Sequence, residues 1–79
     1  MLGWLFGLRA ATERKVWAEI GSARDRRWAK QVLDARRGDF PRGTRCRIRQ
    51  RRGHFPIECR IPKALAEQMM ETGRVIDYR

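Results

Sequence analysis

Six cations fall within the eleven residues from Arg42 to Arg52, and no acid interrupts them. Four of the six, Arg45, Arg47, Arg49 and Arg51, occupy every second position, with Cys46, Ile48 and Gln50 between them. Strict alternation of this kind is the signature of a strand with two unlike faces. Alternate side chains on a strand stand about 6.6–6.8 Å apart, comparable to the spacing of phosphates along a nucleic-acid strand. Such a row repels itself, because its members lie within a Debye length of about 8 Å. Guanidinium forks match phosphate oxygens in geometry and never lose their charge. An uncompensated row of them points to an anionic polymer as partner. The competing explanation is a solvated face that keeps a small protein soluble and blunts a sheet edge. Lysine mixed with glutamate would serve that purpose equally well.

Other chemistry is thin. His54 falls at a turn tip among arginines, with no placed nucleophile or carboxylate partner, and reads as a turn residue rather than a base. Cys46, Cys59 and one histidine do not make a zinc site, which wants about four ligands at short spacings. The cysteines are too far apart for a Cys-x-x-Cys redox motif. They read as small buried hydrophobes, with a cross-strand disulfide as the alternative. With no Gly-rich phosphate loop and no carboxylate pair, an enzyme is the least supported class, and no cofactor or metal is implied.

The elements that must hold the arginines follow from hydrophobic period and turn signals. "ERKVWAEI" after Thr12 carries Val16, Trp17 and Ile20 at i, i+1 and i+4, which predicts a first helix ending at Gly21-Ser22. "SARDRRWAKQVLDARRG" predicts a second, with Trp28, Ala29, Val32 and Leu33 inward, Arg26, Arg27, Lys30 and Arg37 on the opposite side, and Gly38 as C-cap. "DFPRG" is a turn. A hairpin follows, whose second strand "FPIECRI" sets Phe55, Ile57, Cys59 and Ile61 on one face and Pro56, Glu58 and Arg60 on the other. A two-residue turn at Arg52-Gly53 would place Cys46 opposite Cys59, Ile48 opposite Ile57 and Arg47 opposite Glu58; a turn at Gly53-His54 is the other register. Pro56, lacking an N–H, belongs near the sheet's end or edge. Pro62 opens a short helix, "PKALAEQMMETG", and "RVIDYR" reads as a closing strand. The expectation is a single small α+β domain over residues 12–79, ordered α-α-β-β-α-β with three strands at most, preceded by an apolar segment, residues 1–11.

Length and charge bound the rest. The chain has 79 residues and a net charge of +10, and sixteen of its nineteen cations are arginine. All of the excess lies before Pro62, since the residues after it balance. Hydrophobic residues at 42% are too many for a disordered polyelectrolyte. The core of so short a chain is thin. "MLGWLFGLRAA" lacks the basic start of a secretory signal, and no stretch is long enough to span a bilayer. The expected setting is cytoplasmic, with reduced thiols.

A basic helix followed by a basic hairpin resembles winged-helix proteins in outline, where helix and wing grip duplex backbone. "IECRIPKALAEQMMETGR" resembles the strand and first helix of ribbon-helix-helix repressors, and "RIPKALAEQ" the strand-to-helix step of AbrB-type swapped-hairpin domains. Each of the last two covers about a quarter of the chain, and none is adopted as a family. The expected function is a small, non-enzymatic nucleic-acid-binding protein, suited in size to a phage or mobile element. It would hold DNA or RNA phosphate through Arg45, Arg47, Arg49, Arg51 and Arg52, with Arg26, Arg27, Lys30 and Arg37 in support. Such contacts position a protein but carry little sequence information. The alternative is a protein-interaction component, a virion part or an inhibitor docking on an acidic protein or nucleoprotein surface. Membrane attachment through Trp4, Leu5 and Phe6 is the weakest reading. An exposed sheet edge would allow a homodimer.

Overall fold

The structure, a computed structural model, describes residues 14–79. Residues 1–13, which hold the apolar segment 1–11 and the expected helix start at Thr12, lie outside the described residues. In chain order the elements are β1 (Lys15–Ala23), α1 (Arg26–Arg36), a single 3-10 turn (Arg37–Asp39), β2 (Arg45–Ile48), β3 (Phe55–Pro62), α2 (Lys63–Glu71) and β4 (Asp77–Tyr78). The four strands form one sheet in the order β2-β3-β1-β4, and every neighbouring pair is antiparallel. This is the split β-α-β arrangement, in which β3 inserts between β1 and β2.

The α+β class holds, but the first element differs from expectation. The segment expected as a helix over "ERKVWAEI" is instead a strand. Val16, Ala18 and Ile20 are buried at period two, whereas Val16, Trp17 and Ile20, the set counted for the helix, includes a tryptophan on the other face of the strand. Pairing with β3 along most of its length decides between the two, because tertiary pairing overrides weak local propensity. Gly21 marks a β-bulge and not a joint between helices: the register with β3 shifts by one residue between Glu19 and Gly21. The bulge frees the Ile20 carbonyl, and Arg36 at the end of α1 donates to it through Nη1 at 2.9 Å. Arg36 also donates from Nη2 to the Arg74 carbonyl at 2.9 Å and from Nε to Asp39 at 2.8 Å. One side chain thus ties β1, α1 and the approach to β4 together. The sheet accordingly has four strands, where three at most were expected.

Both helices cover the same face. Val16, Ala18 and Ile20 of β1 and Ile57, Cys59 and Ile61 of β3 pack with Ala29 and Leu33 of α1 and Ala66 and Met69 of α2, closed by Phe40 and Val75. Asp25 caps α1 by accepting from the Trp28 N–H at 2.7 Å. Trp28 departs from expectation: it leaves the core and is 56% exposed. Tyr78 donates from its hydroxyl to Glu67 at 3.3 Å. Desolvation, followed by the Glu67 carboxylate, raises its phenol above the usual tyrosine range.

The hairpin takes the Arg52-Gly53 register. Cys46 stands opposite Cys59, Arg47 opposite Glu58 and Ile48 opposite Ile57. Arg51 and His54 close the turn with backbone bonds of 2.9 and 3.3 Å, and Gly53 supplies the positive φ of 82° that the turn requires. Pro56 lies in an interior strand but at the end of the β2 pairing. Its carbonyl accepts from Arg49 N–H, and its missing N–H leaves the return bond unmade, so β2 stops at Ile48. Cys46 and Cys59 are joined as a disulfide across β2 and β3, in place of the two free thiols that were favoured.

Candidate functional site

Both helices lie on one face of the sheet, so among the described residues no helix or strand covers the other, and strand alternation decides what stands on it. The ladders place Lys15 beside Pro62 in a first row across the sheet, and Trp17, Arg60 and Arg45 in a second. Asp77, Glu19, Glu58 and Arg47 form a third, and Ser22, Pro56 and Arg49 a fourth. Arg51 and His54 stand at the hairpin end. The four alternating arginines therefore do share one face. That face is not uniformly basic: a belt of three carboxylates crosses its middle on the β4, β1 and β3 strands.

This belt sorts the arginines into two kinds. Glu58, buried among its neighbours, accepts from Arg47 Nε at 2.7 Å, and Arg49 Nη1 lies 4.0 Å from the same carboxylate oxygen. The guanidinium carbon of Arg47 also lies over the Trp17 ring, 3.8 Å from its centroid, with that of Arg60 5.7 Å from the same centroid. Arg47 and Arg49 are thus partly neutralised, with side chains 38% and 37% exposed. No carboxylate among the described residues pairs with Arg45, Arg51, Arg52 or Arg60. Arg52 occupies the turn itself, and the His54 ring Nδ1 lies 3.2 Å from its carbonyl, as a turn residue's would.

Beyond the second row the sheet end opens into a groove of ≈ 550 Å³ whose charged lining consists of Lys15, Arg42, Arg45 and Arg60. Arg45 and Arg60 are direct cross-strand partners, an arrangement that costs stability for like charges. The turn from Pro41 to Thr44 forms one wall. It is closed by the Thr44 N–H donating to the Pro41 carbonyl at 3.1 Å, and Gly43 takes a φ of 81°.

The helix cations stand elsewhere. Arg26, Arg27 and Lys30 are exposed on α1, which packs on the opposite face of the sheet from the arginine row. Arg37 pairs with Asp34 at 3.5 Å and lines a smaller groove of ≈ 240 Å³ with Arg42 and Phe40. Arg26, Arg27 and Lys30 therefore stand across the sheet from the arginine row they were expected to support, Arg37 alone reaches the 41–44 turn beside it, and the winged-helix outline does not form. Lys15, Arg60 and Trp17 were not singled out as site residues. For Arg60 the signal was present, since the hairpin register sets it opposite Arg45. Lys15 and Trp17 were hidden by reading β1 as a helix.

Among the described residues no helix is long and apolar enough to cross a membrane. No protein-family model, curated protein or solved structure matches this chain.

Proposed function

We propose that the protein is a non-enzymatic nucleic-acid-binding protein that holds phosphate on the uncovered face of its sheet. The observation carrying this reading is the pairing of Arg45 directly with Arg60, beside Lys15 and Arg42 and with no carboxylate among the described residues that line their groove. The fold keeps that repulsion while spending its buried acid on Arg47 and Arg49. A polyanion relieves it. Uncovered four-stranded sheets can also bind single strands by stacking bases on aromatic rings. Here Arg47 already caps Trp17, which favours phosphate contact over base stacking.

The test is a binding titration against salt on duplex DNA, single-stranded DNA and RNA. Lys15, Arg42, Arg45, Arg51, Arg52 and Arg60 give six available cations, so log K should fall with log salt at a slope of about −5 on duplex DNA. A flat dependence, or no binding at low salt, defeats the reading. The second reading, an acidic protein partner, is favoured by one observation: Trp28 is exposed on the helix that carries Arg26, Arg27 and Lys30. A purified complex that survives nuclease and is lost with Trp28→Ala would support it.

A further inference from the structure

We infer that the groove at the open end of the sheet is a phosphoryl-binding subsite, in which Lys15, Arg42, Arg45 and Arg60 together hold one phosphate group; the inference rests on the nucleic-acid reading and deepens it. Four separate parts of the chain converge there: the start of β1, the 41–44 turn, β2 and β3. Neighbouring parts of the face treat their cations differently. Arg47 and Arg49 share Glu58, and Arg36 spends its guanidinium on two backbone carbonyls and Asp39. The groove's four cations have no such partner among the described residues.

Three guanidinium forks and one ammonium suit an oxyanion with several acceptor oxygens better than they suit isolated carboxylates. A phosphomonoester carries about −1.5 to −2 charges and three acceptor oxygens, and a phosphodiester flanked by its neighbours presents a comparable density. The groove's ≈ 550 Å³ falls within the roughly 300–1,000 Å³ range of small-ligand sites, which is room for one nucleotide. Its walls are also set before any ligand arrives. The backbones of Arg45 and Arg60 are fixed by the β2–β3 ladder, with the Cys46–Cys59 disulfide beside them, and that of Arg42 by the turn that Gly43 and the Thr44 N–H close. Preorganisation of this kind lowers the ordering cost of binding.

The subsite is tested by amide shift mapping on the whole oxidised chain with pyrophosphate, and with a trinucleotide carrying or lacking a 5′-phosphate. Saturable shifts at Gly43, Thr44, Arg45 and Arg60 are expected with pyrophosphate. Lys15→Ala and Arg42→Ala, both at exposed positions, should each weaken it roughly tenfold. Equal shifts from both trinucleotides identify an internal phosphodiester as the ligand, and shifts from the phosphorylated one alone identify a strand end; both support the subsite. Shifts confined to the hairpin tip, or equal shifts from an acidic peptide, overturn it. The broader reading is separable through Arg51→Gln/Arg52→Gln, which should weaken oligonucleotide binding and leave the pyrophosphate shifts in place. Salt-dependent oligonucleotide binding without groove shifts removes the subsite alone, and loss of both removes both.

Discussion

Glu58 is the residue on which the electrostatics of the open face turn. It is buried, it accepts a short bond from Arg47, and Arg49 reaches the same oxygen. Replacing it with glutamine keeps the shape and one acceptor oxygen but removes the charge. A hydrogen bond to a charged group contributes about 1.5–3 kcal/mol, so Glu58→Gln should lower stability by roughly that amount in chemical denaturation. Polyanion affinity should move the other way. Two guanidiniums are released from internal pairing, and the salt slope should steepen by up to about two. A variant that loses stability without gaining affinity would show that Arg47 and Arg49 never reach the ligand, leaving the groove and hairpin tip to hold it.

Among the elements, the hairpin has the most at stake, because it sets Arg45 against Arg60 and holds β2 at the sheet's edge. The Cys46–Cys59 disulfide bridges 13 residues of sequence, and closing a loop of that size is worth about 3 kcal/mol in the chain-entropy account. Cys46→Ser/Cys59→Ser should therefore unfold at lower denaturant, and the native protein under reductant should match it; identical midpoints with and without reductant would show that the ladder suffices alone. The hairpin was legible in the sequence because its period, its turn glycine and its like faces agree on one register. Helix α1 was legible through Ala29, Val32 and Leu33, though Trp28 lies outside the stripe its spacing suggested. β1 was not, for a physical reason. Trp17 stands apolar on the open face between Val16 and Ala18, which hides the alternation in the sequence and leaves Val16, Trp17 and Ile20 at helical spacing, and the bulge at Gly21 then ends the pattern where a helix break would. A helix at β1 leaves Trp17 and Lys15 off the sheet, where the structure puts both on its open face.

At the scale of the whole molecule, the question is whether a net charge of +10 binds polyanions from any side or whether one face does it. The two basic surfaces stand on opposite sides of the sheet, so equal amounts of charge can be removed from each. Arg45→Gln/Arg51→Gln/Arg52→Gln strips three cations from the open face, and Arg26→Gln/Arg27→Gln/Lys30→Gln strips three from α1, all at exposed positions. The long-range field changes comparably in both, and with it the rate of encounter. Contacts do not. If phosphate sits on the open face, the first variant should lose close to three released counterions, flattening the salt slope by about 2.7, while the second keeps the parental slope and loses affinity only at low salt. Equal losses from the two variants would mean that the field of the whole protein binds the polyanion without a defined docking face. A loss confined to the α1 variant would move the interface to the helix layer, next to exposed Trp28.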